Sequence, residues 1–190
     1  MRYANMELSI IITSYKNPEM LRVCINSIEK NISLLNYEII VSDSETEEET
    51  ETLMREEYPK IKFFPFKKNV GFQHLVKKSF EASEGKYMLI LNGDMIIKKN
   101  SVEKLLKFIK NNPAAGLVGP QLLNFNKTLQ NSCCRYYTPL TIVYRRTFLG
   151  KFGFAKKHLD RFLMKDFDHK STKEVDWLMG SALMTRREAI

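Results

Sequence analysis

The residues whose types and spacing could do chemistry begin with Asn92, Gly93 and Asp94. They follow residues 87–91, an unbroken apolar run with strand propensity, short enough to be a strand buried on both faces. A second short apolar run, residues 95–97, follows them. A carboxylate at the C-terminal end of such a strand stands where open α/β sheets bind ligands. It can hold a hard divalent cation, and that cation can hold a diphosphate. An isolated N-G-D equally fits a turn whose aspartate only caps backbone N–H groups, so the rest of the chain decides.

Other metal or redox chemistry is poorly supplied. Three cysteines, two of them adjacent (Cys133 and Cys134), make no disulfide framework and have no metal-ligand spacing, which fits a reducing compartment. His74, His158 and His169 are scattered; the last two are weak candidates for a second metal ligand. The chain's 30 Lys+Arg against 22 Asp+Glu give a net charge of +8. That favours anionic company: phosphates, a nucleotide, an acidic membrane surface or nucleic acid. The length of 190 residues suits one domain with a substantial core. No apolar run approaches the roughly 20 residues that span a bilayer, and the opening MRYANMELS lacks a signal-peptide core.

The elements that must position Asp94 are legible in order. LSIIITS, residues 8–14, reads as a first buried strand. Asn17-Pro18-Glu19 then supplies an N-cap, a proline at the first helical position and an acid in the first turn. Leu21, Cys24, Ile25, Ile28 and Ile32 follow at helical spacing. Residues 37–41 form a second strand ending at Ser42-Asp43-Ser44, and residues 47–58 an acidic helix. Residues 61–66 form a third strand, whose Pro65 argues for a sheet edge. A loop at residues 67–71 leads to a helix over 72–83, then the strand to Leu91, then a helix with Asn100 and Glu103 placed as a capping box. Strand and helix alternate from residue 8 to about 112, which predicts βαβ units and a mostly parallel sheet. Beyond Gly116 come short strands at 117–119 and 121–123. Residues 125–168 are rich in aromatic and basic residues with weak periodicity and read as long loops with a short helix; the segment from 174 to 184 is compact and apolar.

Four segments in order resemble one family, the nucleotide-sugar glycosyltransferases of family 2. SIIITSYKNPEML is similar to its first strand and nucleotide loop, and EIIVSDSETEEET to its second strand. NVGFQHL followed by GKYMLILNGDMII resembles its N-x-G-F segment and metal-binding D-x-D-like turn. VDWLMGSALMTRREA is similar to the acceptor-side motif of bacterial rhamnosyltransferase-like members. The resemblance spans residues 8 to 190. It implies a single GT-A domain: a Rossmann-like, mostly parallel sheet flanked by helices, with a nucleotide-binding half at 8–112 and a less regular acceptor-side half at 113–190. Family members usually continue past the arginine pair, so the resemblance implies a fragment or a truncated product.

The same resemblance implies the site. Asp94 would be the ligand of Mg2+ or Mn2+, and Asn92, standing where the pattern has its first acid, would touch ribose or metal-bound water. Asp43 offers acceptors to a uracil or thymine edge or to ribose hydroxyls. The backbone around Thr13 and Tyr15 would lie against the base, with Asn69 and Gly71 lining the same cleft. Lys77 stands near the place where the family often has an asparagine, so the resemblance implies no donor contact from that helix. Asp176 would be the general base of an inverting transfer, its pKa raised by burial between Val175 and Trp177, with Glu174 its neighbour in competition. Trp177 would be an apolar platform for the acceptor sugar, and Arg186 and Arg187 would reach the diphosphate.

The function implied is transfer of a sugar from a UDP- or dTDP-linked donor to a saccharide or lipid-linked acceptor in cell-surface polysaccharide synthesis. It would take place in the cytoplasm, with peripheral contact at the anionic inner face of the membrane. Two other readings remain: a catalytically incomplete nucleotide-sugar-binding fragment, and a basic nucleic-acid-binding module. The last rests on Arg135-Tyr136-Tyr137 and Tyr144-Arg145-Arg146, basic residues interleaved with aromatics. No RNA-binding signature accompanies them, and no nucleic-acid partner is expected.

Overall fold

In the computed structural model, which describes residues 6–33 and 35–190, the first apolar run becomes β1 (Leu8–Tyr15), buried at every residue but Tyr15. Residues 1–5, the start of the stretch that lacks a signal-peptide core, lie outside the described residues, as does residue 34. The chain then alternates as its pattern predicts: α1 (Pro18–Asn31), β2 (Tyr37–Ser44), α2 (Glu48–Glu56), β3 (Lys62–Phe66), α3 (Phe72–Ala82), β4 (Tyr87–Asn92), α4 (Ser101–Asn111) and β5 (Leu117–Val118). There follow β6 (Leu122–Leu123), β7 (Leu129–Gln130), β8 (Cys133–Cys134), α5 (Pro139–Arg146), a 3-10 turn (Phe148–Lys151), α6 (Gly153–Phe162), β9 (Trp177–Leu178) and β10 (Ala182–Arg186). Two compact units result, one from the chain up to Pro120 together with Gly180–Ile190, the other from Gln121–Met179.

The first unit carries a six-stranded sheet in the order β3-β2-β1-β4-β10-β5. β1 to β4 are mutually parallel; β10 runs antiparallel to both β4 and β5. β1 is central because it can be: Leu8, Ile10, Ile11 and Ile12 are fully buried on its two faces. Each such side chain contributes about 1.5–3 kcal/mol of burial. Pro65 sits in edge strand β3, where a missing N–H is tolerated. On one face Ile11, Met88 and Ile90 pack with Val76 and Phe80 of α3. α1 starts as its sequence predicts, with Pro18 in the first turn and the Asn17 side chain accepting from the Met20 N–H at 3.1 Å.

Two local expectations fail. Asn100 makes no capping box with Glu103; it adopts a left-handed backbone (φ 61°), which asparagine tolerates, and its side chain caps nothing. Ser101 closes that turn instead, donating to the Lys98 carbonyl at 2.7 Å. Residues 125–168 hold two helices, α5 and α6, where loops and one short helix were expected. The second unit also has two small antiparallel pairs, β6 with β7 and β8 with β9.

Candidate functional site

Register brings the functional residues of the first unit together. Thr13 pairs with Ser42 on one side and Asn92 on the other, and Ser14 pairs with Asp43, so three strands end side by side at the C-terminal edge of the sheet, β1 and β2 running two residues past β4. A cleft of about 340 Å³ opens there. Thr13, Ser14 and Tyr15 of β1 line it, with Asn17 and Met20 at the start of α1, Ser44 of β2, Asn69, Gly71 and Phe72 at the start of α3, and Asn92, Gly93 and Asp94 after β4. Of the residues singled out in the sequence, Thr13, Tyr15, Asn69, Gly71, Asn92 and Asp94 thus share one cavity.

The turn that presents Asp94 is held from both sides. The Gly93 N–H donates to the Thr13 carbonyl at 2.8 Å, and the Asn92 N–H donates to the Ser181 carbonyl at 3.0 Å. Met95 N–H closes the turn onto the Asn92 carbonyl at 3.2 Å. Asp94 itself is exposed, its carboxylate free to meet a ligand. The loop opposite is fixed by a serine that the sequence did not single out. Ser44 Oγ accepts from the Val70 N–H at 3.2 Å and donates to the Lys68 carbonyl at 3.4 Å. Asn69 Oδ1 accepts from the Gly71 N–H at 3.0 Å, and Gly71 takes a positive φ of 76° that leads into α3. At the mouth, half-exposed Tyr15 donates to Glu45 at 3.2 Å, and Lys16 pairs with Glu45 at 2.6 Å.

Asp43 does not line the cleft but lies directly behind it. β2 runs on to Ser44, so Asp43 is inside the strand and fully buried, between Ser42, which bonds Ser79 on α3, and cleft-lining Ser44. Alternation turns it to the sheet face opposite Ser42, beside its register partner Ser14. Neither carboxylate oxygen makes a hydrogen bond with another protein group. Burial raises its pKa, opposed by the nearby Ser14 and Thr46 hydroxyls. Two hydroxyls near the carboxylate but outside hydrogen-bond geometry compensate its burial only in part, and such a group is commonly completed by a ligand or by a proton.

Arg186 and Arg187 are not brought to this edge. Arg186 pairs with Tyr87 at the start of β4, roughly 17 Å of strand away from Asn92. Its guanidinium donates to the carbonyls of Ile109 (2.8 Å), Asn112 (3.0 Å) and Ala115 (3.2 Å), tying α4 and the loop after it to the sheet. Arg187 donates to the Gly85 carbonyl at 2.8 Å and the Ser83 hydroxyl at 2.6 Å and stacks over Phe80. Both arginines are structural because β10 runs antiparallel, which carries its last residues away from the cleft.

Asp176 and Trp177 belong to the second unit. Asp176 is exposed, in contrast to the buried position expected from its neighbours, and accepts from the Tyr136 N–H at 3.2 Å. Trp177, 40% exposed, begins β9 and meets Tyr137 edge-on at 6.1 Å. His158 Nε2 contacts the hydroxyls of Thr138 (3.3 Å) and Thr141 (2.9 Å), and His169 Nδ1 lies 3.9 Å from Cys133 Sγ. Of the cations in the two basic-aromatic stretches, Arg135 forms a bidentate pair with Asp166, and Arg145 bonds Tyr137 and stacks over it and Phe162.

Among the described residues no group of three or more His, Cys, Asp or Glu could hold a metal ion unaided. The cleft's donor set, the Asp94 carboxylate with the Asn92 amide beside it, still fits a cation that shares its ligands with a phosphate. Magnesium sites of that kind use one or two carboxylates and take the rest from substrate and water.

A scan of protein families matches residues 9–188 to the family described as Glycosyl transferase family 2. Among curated proteins, a dolichol-phosphate mannosyltransferase of Pyrococcus furiosus is 28% identical over 109 residues, 56% of this chain and 31% of that one. Among solved structures, the mannosyltransferase PcManGT from Pyrobaculum calidifontis, in complex with GDP-Man and Mn2+, superposes over 97% of this chain and 45% of its own. Its TM-score is 0.60 at 14% identity. S. aureus TarS 1-349 in complex with UDP-GlcNAc matches with a TM-score of 0.57 and 18% identity, over 69% of this chain and 39% of that one. This chain therefore spans less than half the length of these relatives, and the fold they share is GT-A.

Proposed function

This chain belongs to glycosyl transferase family 2, and from that premise we propose that its cleft binds a nucleoside-diphosphate sugar and that the protein transfers the sugar, with inversion, to a saccharide or lipid-linked acceptor. The observation that carries the reading is Asp43. A buried carboxylate whose oxygens make no geometric hydrogen bond to the protein, set beside cleft-lining Ser14, is matched by the N–H of a uracil, thymine or guanine edge or by ribose hydroxyls. Thr13 and Tyr15 then lie along the nucleoside, and Asn69 and Gly71 close the cleft opposite.

Displacing a sugar from a diphosphate proceeds through an oxocarbenium-like transition state, so negative charge grows on the leaving group. Asp94, with Asn92 next to it, would hold Mg2+ or Mn2+ against the diphosphate. The cation supplies Lewis-acid neutralisation of that charge. The firm backbone anchoring of the Asn92–Asp94 turn keeps the carboxylate in place without rearrangement. Asp176, exposed and oriented by the Tyr136 N–H, takes the proton from the acceptor hydroxyl, and Trp177 offers the acceptor ring an apolar face. A role in polysaccharide assembly follows from this acceptor class.

The test is a thermal-shift and calorimetric screen of UDP, dTDP and GDP, and of their sugars, with Mn2+ and with EDTA. A ligand that prefers the native state raises its apparent stability by mass action. Stabilisation by one base class, strengthened by metal, supports the proposal; no response to any of them overturns it. Because the chain spans less than half of its relatives, sugar transfer is assayed separately from donor binding. Binding without transfer would identify a donor-binding piece that needs the remainder of a longer protein.

A further inference from the structure

The second unit carries a surface that the proposed transfer leaves unused. α5 has inverted amphipathicity: among its residues only the polar Thr141 is buried, bonded to Thr138 and His158, while Leu140, Ile142 and Val143 are 52%, 49% and 39% exposed. The 3-10 turn and the start of α6 add an aromatic cluster that reaches α5 through Tyr144. Phe148, Phe152 and Phe154 are 71%, 49% and 64% exposed, yet they touch one another. Phe152 stacks on Phe154 at 5.9 Å with planes 6° apart and meets Phe148 at 6.5 Å, and Tyr144 joins at 5.9 Å from Phe154. An exposed, contiguous apolar patch of this kind marks an interaction site.

The charge around the patch selects the partner. Between residues 138 and 165 stand seven Lys or Arg and one acid, Asp160, which Lys165 neutralises at 2.6 Å. Among the described residues Arg146, Lys151, Lys156 and Lys157 are exposed and in no ion pair. Bulky apolar side chains projecting between unpaired cations match a surface that is apolar below and anionic at its rim. That is the interface of a bilayer with acidic headgroups. A second copy is disfavoured, because two such faces would bring like charges together without acids to offset them. We propose that the α5–α6 face of the second unit docks the protein on anionic membrane, with Phe148, Phe152 and Phe154 inserted among the lipids and the basic residues on the headgroups. The proposal stands apart from the donor site and is tested without it.

Sedimentation with vesicles of phosphatidylcholine alone and with phosphatidylglycerol added reads the binding directly. The 190-residue chain should bind the anionic vesicles at least about tenfold more tightly, with the difference shrinking as salt rises. F148S/F154S and, separately, K151E/K156E/K157E should each lose about tenfold or more on anionic vesicles, with unchanged circular dichroism. F148W should be quenched by brominated lipid more than Trp177 in the parent chain. Several results overturn the proposal: no preference for anionic vesicles, parental binding by F148S/F154S, or a parent dimer that F148S/F154S converts to monomer. So does equal affinity for a single-stranded oligonucleotide with the same losses, which would assign the face to nucleic acid.

Discussion

Replacing Asp43 by Asn should make the ligand-free protein more stable at neutral pH while weakening its hold on nucleotide. The carboxylate is fully buried and neither oxygen is bonded by the protein. An uncompensated buried acceptor costs about 1–3 kcal/mol, more when charged. Asparagine keeps the volume, so no cavity opens, and removes the charge, though its own amide stays partly unsatisfied. A net gain of about 1 kcal/mol is the expectation, or about 2–4 °C in Tm for a chain of this size. Burial raises the folded-state pKa above its ordinary value of 3.8, so the native protein retains the proton longer than the unfolded chain. Parent stability therefore falls as pH climbs from about that value through the raised pKa, and above it the loss is complete. D43N lacks this titration, so its advantage should be full at neutral pH and vanish as pH falls below the unfolded value.

Thermal melts followed by circular dichroism from acid to neutral pH, with and without nucleotide, read both effects. With nucleotide at a hundredfold excess over Kd, the parent should gain about 2.7 kcal/mol, and D43N markedly less at the same concentration. Two outcomes would refute the reasoning. If D43N is less stable at neutral pH, the Ser14 and Thr46 hydroxyls satisfy the carboxylate and its role is structural. If its nucleotide affinity is unchanged, the base or ribose does not reach it.

Asp94→Ala should abolish the difference in nucleotide affinity between Mn2+ and EDTA; calorimetry showing the same metal enhancement in the variant would place the cation elsewhere. Asp176→Asn should leave donor affinity intact but lower transfer roughly 10²- to 10⁴-fold, the usual loss of a positioned base; parental turnover, or loss of donor binding, rules out that role. Gly85→Ala should unfold the first unit readily. A Cβ there would strike the backbone of Leu8 and Ser9, 2.7 Å from the Leu8 carbonyl carbon, and clashes of that kind cost about 1–3 kcal/mol or more. Equal midpoints in urea would contradict it.

The sheet was legible because its strands are short apolar runs punctuated by polar turns, and because helices between them repeat at 3.6 residues. Residues 8–14 and 87–91 needed no tertiary information to be placed. Pro65 also reported its edge position honestly, since a residue without N–H has few other places in a sheet. Residues 125–168 were illegible for an equally physical reason. α5 buries Thr141 and exposes Leu140, Ile142 and Val143, so its pattern has the wrong sign for a helix read by its apolar face. The arginine pair misled because direction is invisible in sequence. Nothing local says that residues 182–186 run antiparallel to β4 and carry Arg186 and Arg187 to the far end of the sheet.

The same strand explains why the site depends on residues so distant in sequence. The turn bearing Asp94 is fixed on one side by Thr13, from the first strand, and on the other by Ser181, just before β10. β10 pairs with β4 through Ala182 opposite Leu91, so its arrival sets the Ser181 carbonyl against the Asn92 N–H. Without it that N–H has no sheet partner, and the Asp94 carboxylate hangs on one backbone bond from Thr13 plus its own turn. Closing a loop of nearly ninety residues raises the entropic requirement only slowly, as the logarithm of its length. A distant strand can therefore secure the turn at modest expense. The carboxylate proposed to face the diphosphate is thus positioned by the whole sheet, which is why the N-G-D triplet alone says so little about it.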